Sequence, residues 1–128
     1  VNDSVFWHAS DELVSSSSII VDRPANTAHP RFPDIIYPFD YGYLDGTTAG
    51  DGDGIDVWRG SLSAEIVTAV VCTVDLFKRD AEVKLLIGCN SAECDLIYQF
   101  HNVHQQRAIL IKRPAADSIK STESKETQ

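Results

Sequence analysis

The chain has 128 residues, 43% of them hydrophobic and 23% charged. That is enough for one domain with its own core, and too apolar for a wholly disordered chain. A formal net charge of -8 (11 basic residues against 19 acidic) repels nucleic-acid phosphates, favours cations, and obliges an anionic substrate to bind through metal ions.

The stretch up to Ser18 is polar and mixed, with Phe6 and Trp7 as anchors, and Ser15 to Ser18 reads as a loop. Ile19-Ile20-Val21 is a short apolar strand. Pro24, Pro30, Pro33 and Pro38 then exclude helix and predict extended or turning chain. From Asp45 to Gly54 the sequence is rich in Gly, Asp and Thr, an acidic surface loop. Ile55 to Arg59 is a short strand. Glu65 to Phe77 is the strongest strand, apolar on both faces, as a strand buried in a small barrel or curved sheet should be. A turn at Lys78 to Ala81 leads to a partner strand, Val83 to Ile87.

Ser91 suits the N-cap of a helix running to about Gln106, with Glu93 and Asp95 in its first turn. Leu96, Ile97, Phe100 and Val103 give that helix an apolar stripe. Ala108 to Lys112 is a final strand. The expected fold is mostly β (α+β), a small OB-like β-barrel with one C-terminal helix packed against it. It occupies residues 1–113, and the polar stretch 114–128 is expected to be a disordered tail. No apolar run is long enough for a membrane span. Cys72, Cys89 and Cys94 are odd in number and lack a C-x-x-C pair. They read as reduced, buried thiols of a cytoplasmic protein.

Three carboxylates crowd the acidic loop in Asp51-Gly52-Asp53-Gly54-Ile55-Asp56. In extended chain Asp51 and Asp53 point one way and Asp56 the other, so convergence needs a bend, which Gly54 permits. Converged carboxylates call for a hard cation, Mg2+ or Mn2+. A solvated Asp-Gly turn remains the alternative. A calcium EF-hand fails, because Ile55 falls at a ligand position and Leu62 where the bidentate Glu belongs. Asp80, Glu82 and Lys84 alternate and share a strand face opposite Val83 and Leu85, either as a solvated edge or as the second half of a metal-and-anion site. Tyr37, Tyr41 and Tyr43 set phenols along one side of an extended segment, and Arg31 is a natural phosphate fork.

Tyr37-Pro38-x-x-Tyr41-Gly42-Tyr43, followed by Asp51-Gly52-Asp53-Gly54-Ile55-Asp56-Val57, resembles the signature region of family I soluble inorganic pyrophosphatases. That signature reads Y-P-x-x-Y-G-Y, then D-G-D-P, a hydrophobic residue and D-V. Asp22-Arg23-Pro24-Ala25-Asn26 and Asp80-Ala81-Glu82-Val83-Lys84 resemble further parts of the family pattern, so that the likeness spans roughly positions 19 to 88.

The resemblance implies magnesium-dependent hydrolysis of inorganic pyrophosphate to two phosphates by a metal-activated water. It places Asp51, Asp56, Asp80 and Glu82 at the metals and Asp53 on the attacking water. Tyr41, Lys84 and Arg31 fall on phosphate, with Tyr37 nearby and Asp22 on a metal-held water. Implied partners are a small phosphoanhydride substrate and further copies of the chain, but no nucleic acid and no membrane.

Departures are equally plain. Gly54 stands where the family has Pro, and the segment from Asn26 to Ile35 is short, losing phosphate-binding cations. The late Tyr-Lys pair has no counterpart beyond Phe100-His101-Asn102. His29, His101, Arg107 or Arg31 are the available replacements. Another pyrophosphate-containing substrate, or a catalytically inactive metal- or phosphate-binding domain, are the alternatives.

Overall fold

The computed structural model describes residues 3–115. Helix α1 (Ser4–Ser15) precedes strands β1 (Ile19–Arg23), β2 (Asp40–Leu44), β3 (Ile55–Arg59), β4 (Val67–Asp75) and β5 (Asp80–Ile87). Helix α2 (Ser91–Phe100) and strand β6 (Gln106–Lys112) complete the chain. The strands form one six-stranded sheet in the order β1-β2-β3-β5-β4-β6. Every pairing is antiparallel except β3 with β5. The protein is therefore mixed α+β.

The period-two alternation of strands sorts the apolar residues onto two sides. Val57, Val70, Leu85 and Ile87 join Trp7 and Val14 of α1 in one buried cluster. Trp58, Val71 and Leu86 join Tyr37, Cys94 and Ile97 in the other. Helix α1 packs on β4 and α2 on β6, which explains why β4 is apolar on both faces. Gly42 is required where β1 meets β2, since a Cβ there would lie 1.8 Å from the Ile20 carbonyl oxygen.

Several expectations need correction. The opening stretch is not irregular: Trp7, Ser10 and Val14 are its buried residues, three and four apart, and they make it helical. Helix α2 is shorter than predicted and is capped by Asn90, not Ser91. The Asn90 side chain accepts from the Glu93 amide while Glu93 accepts from the Asn90 amide, a reciprocal capping box. Its buried face is Glu93, Cys94 and Ile97, whereas Leu96 is exposed. Asp80, Glu82 and Lys84 do share one side of β5, but that side is not the solvated one. Lys84 is 3% exposed and its neighbour Val83 is 50% exposed. Of the expected tail, residues 116–128 lie outside the described residues.

Candidate active site

The β2–β3 hairpin and the neighbouring β5 bring four of the predicted residues together. Tyr41 of β2 sits across the ladder from Trp58, two residues along β3 from Asp56. The Tyr41 hydroxyl donates to Asp56 Oδ2 at 2.7 Å. Lys84 Nζ donates to the same carboxylate oxygen at 2.8 Å and to the Tyr41 hydroxyl at 2.8 Å. Glu82 Oε2 lies 3.5 Å from Lys84 Nζ. An ammonium this buried is tolerable only because two carboxylates and a phenol replace its water. Burial, and then the Asp56 charge, push the Tyr41 pKa well above its ordinary value, so Tyr41 remains a donor throughout the physiological range.

The remaining carboxylates do not join that group directly. Asp51 and Asp53 are exposed in the loop between β2 and β3. The loop is folded on itself: Asp51 Oδ1 accepts from the Asp53 amide at 3.0 Å, and the Asp53 carbonyl accepts from the Ala49 amide at 2.6 Å. Gly54 stands where a Cβ would come within 2.8 Å of the Tyr43 ring, which accounts for the departure from proline. Asp22 is exposed on β1. Among the described residues no three Asp, Glu, His or Cys side chains converge into a metal cage. The site is centred on Lys84 instead.

Its donor chemistry nevertheless suits a hard cation. Asp80 Oδ1 and Thr73 Oγ1 are buried with no hydrogen-bond partner among the described residues. Thr73 lies directly across the β4–β5 ladder from Glu82, and Asp80 begins the same strand as Glu82. A carboxylate oxygen buried without a proton donor is costly until water or a cation meets it. Carboxylate and hydroxyl oxygens are the ligands magnesium selects.

The candidate replacement cations separate sharply. His101 is buried; Trp58 Nε1 donates to its Nε2 at 2.9 Å, and its Nδ1 lies 2.7 Å from Gln106 Oε1. The bond from Trp58 leaves the proton on Nδ1, facing Gln106, and burial together with the Lys84 charge lowers the pKa to about 3. Buried, with both ring nitrogens engaged by Trp58 and Gln106, His101 is placed as a core histidine. His29 Nδ1 accepts the amides of Arg31 and Phe32 at 3.0 and 3.2 Å, and burial followed by nearby Arg23 lowers its pKa. Arg107 is exposed and donates to the carbonyls of His104 and Gln106. The Arg31 guanidinium lies over the Phe77 ring, 4.3 Å from its centroid.

One cation escaped sequence reasoning. Arg23, at the bulged end of β1, pairs with Tyr41 across the ladder and interacts with the Tyr37 phenol. The Asp-Arg-Pro spacing was its only signal, since the position is apolar-adjacent and unremarkable in sequence. Rings link this arginine to the centre: Tyr37 lies 5.6 Å from Tyr41 and 4.9 Å from Phe100, between centroids. All three cysteines are free, with Cys89 and Cys94 buried and their thiol pKa values raised by burial. No helix among the described residues is long and apolar enough to cross a membrane.

Neither a protein-family model nor a curated protein matches the sequence. Solved structures do match. The inorganic pyrophosphatase from Neisseria gonorrhoeae superposes with a TM-score of 0.58 at 14% identity, covering 86% of this chain and 90% of that one. The enzyme from Thermus thermophilus gives 0.57 at 15% identity, over 78% and 84% of the two chains. That from Helicobacter pylori gives 0.53 at 13% identity, over 81% and 88%. At such identities the likeness concerns the path of the chain and its packing, and over most of its length this chain has the fold of the inorganic pyrophosphatases.

Proposed function

We propose that this chain is a magnesium-dependent phosphoanhydride hydrolase, with inorganic pyrophosphate as the first substrate to try. The observation that carries the reading is the part-buried Tyr41–Asp56–Lys84–Glu82 network around the buried Lys84, in which three strands deliver a phenol, two carboxylates and an ammonium to one place. The pyrophosphatase fold supports it, as does the Asp51-Gly52-Asp53 loop adjoining β3. The finer description of the sheet as a small OB-like barrel, and a reducing cytoplasmic setting in keeping with the free thiols, belong to this same reading.

Asp51, Asp56, Asp80 and Glu82 would hold magnesium, which supplies charge neutralisation for the diphosphate and acidifies water for attack. The chain's own residues do the rest. With Asp56 turned to a cation, the Tyr41 O–H and the Lys84 N–H that it now accepts would be released to phosphate oxygens, and their burial would strengthen those bonds. Asp53 receives the proton of the attacking water; its exposure lets that proton pass on to solvent. Arg23 or Arg31 would steady the leaving phosphate as its charge develops.

A second reading has its own support. Asp51 Oδ1 accepts a backbone amide and the carboxylates form no cage among the described residues, as in a domain that binds metal or phosphate without turnover. Phosphate release from pyrophosphate, with and without millimolar magnesium, separates the two. Magnesium-dependent release is the expected result, and no release at any magnesium concentration would leave the binding domain as the surviving reading.

A further inference from the structure

A cavity of about 480 Å3 opens beside the ring path that leads from Tyr41 through Tyr37. Phe32, Phe77, Phe100, His29 and His104 border it. Phe32 and His104 already stack face to face, with centroids 4.0 Å apart and planes 13° from parallel. Phe77 is 64% exposed at its mouth with the Arg31 guanidinium above its ring. Phe100 belongs both to this wall and to the Tyr37 contact, and Tyr37 in turn meets Tyr41, so a single ring separates the cavity from the network. Arg23, Arg31 and Lys78 all lie close enough to His29 to act on its charge. One carboxylate, Asp75, also borders the cavity, so that in a chain of net charge -8 the cations outnumber it here.

Inorganic pyrophosphate is small, fully charged and carries no ring. It has no use for an open pocket walled by aromatic faces. Such walls offer stacking to a flat heterocycle, and the cations around them offer attraction to the phosphates that follow it. Resting on the hydrolase reading above, we propose that this cavity receives the base of a nucleotide whose phosphoanhydride lies at Tyr41, Asp56 and Lys84. The preferred substrate is then a nucleoside di- or triphosphate.

Hydrolysis adds the oxygen of water to the terminal phosphorus and breaks the bridging phosphorus–oxygen bond. The electron pair of that bond leaves with the shortened nucleotide, and the proton of the water passes through Asp53 to solvent.

The test separates binding from turnover. Calorimetric titration of the full chain with AMP and with inorganic phosphate, magnesium present, should show AMP binding at least about fivefold tighter, the least that stacking on an aromatic side chain contributes. Phe32→Ala and, at the more exposed position, Phe77→Ala should each weaken AMP about tenfold and phosphate much less. Both variants should lower kcat/KM for ADP relative to that for pyrophosphate. AMP binding no tighter than phosphate, or both ligands weakened equally in both variants, overturns the assignment. If pyrophosphate is hydrolysed under that outcome, the pocket assignment falls alone. If AMP binds as expected while no phosphoanhydride is hydrolysed, the pocket stands and the hydrolase reading falls.

Discussion

Asp56 and Asp53 are three residues apart yet answer to different physics. Asp56 neutralises a nearly buried lysine, whereas Asp53 is exposed and carries no side-chain partner role in the network. Asp53→Asn should therefore lower phosphate release by about two orders of magnitude while the urea midpoint stays where it was. Asp56→Asn should weaken both magnesium affinity and the fold. Breaking a buried pair costs about 3–5 kcal/mol, and partial exposure of Asp56 with Glu82 still near Lys84 brings the expectation to about 2 kcal/mol. Equal effects of the two substitutions on stability would refute the division of roles.

His101 adds a pH test. Its pKa in the folded chain, about 3, lies below the ordinary 6.5. Between those values the unfolded chain binds a proton that the folded chain refuses. Stability is thus lost as pH falls through about 6.5, by up to about 1.4 kcal/mol per pH unit, and the loss levels off near pH 3. His101→Gln, which retains an acceptor for Trp58, removes this dependence, so its stability deficit relative to wild type should shrink between pH 7 and 5. A deficit that is constant with pH would mean that His101 is not held neutral. At this scale the network residues Tyr41, Asp56, Glu82 and Lys84 were legible from motif and alternation. The Trp58–His101 bond was not, because its partners are 43 residues apart and nothing local announces a buried neutral histidine.

Helix α1 is tied to the sheet through Asp11. Asp11 accepts twice from Arg113 Nη1, at 2.8 and 3.0 Å, and once from the Val67 amide at 2.9 Å. Arg113 also donates to the Val67 carbonyl, so one pair fastens the helix, the start of β4 and the end of the β6 segment. Asp11→Ala should destabilise the chain by about 2–3 kcal/mol, discounted from a fully buried pair because Asp11 is partly exposed. Asn90→Ala should cost about 1 kcal/mol, the usual value of an N-cap. Urea unfolding of the two variants checks the order; a larger loss at Asn90 than at Asp11 would contradict it.

The strands were readable because β-branched runs and the proline and glycine punctuation bound them. Helix α1 was not, because its buried face contains a serine and its exposed face carries Val5 and Phe6, which blurs the apolar period. The end of α2 was overrun for a related reason. Val103 continues the helical spacing, but the helix ends at His101, whose ring accepts from Trp58.

For the molecule as a whole, the balance of charge makes a statement about stability. The chain carries -8 overall, and of the carboxylates proposed to hold magnesium Asp56 and Glu82 share a single lysine. Asp80 Oδ1 is left without a partner among the described residues, so a divalent cation there relieves desolvation as well as repulsion. A cation that binds the native state alone adds RT ln(1 + [L]/Kd), about 2.7 kcal/mol at a hundredfold excess over Kd. For a chain of this size that is a rise in Tm on the order of 10 °C. General screening by salt would also stabilise an acidic protein, so the comparison must be made at matched ionic strength. Under that condition magnesium should raise the Tm well beyond the rise that sodium gives, and Asp56→Asn should lose much of that excess while Asp53→Asn keeps it. A magnesium effect no larger than that of sodium would show that the acidic residues act only through mean charge, and the specific site would have to be abandoned.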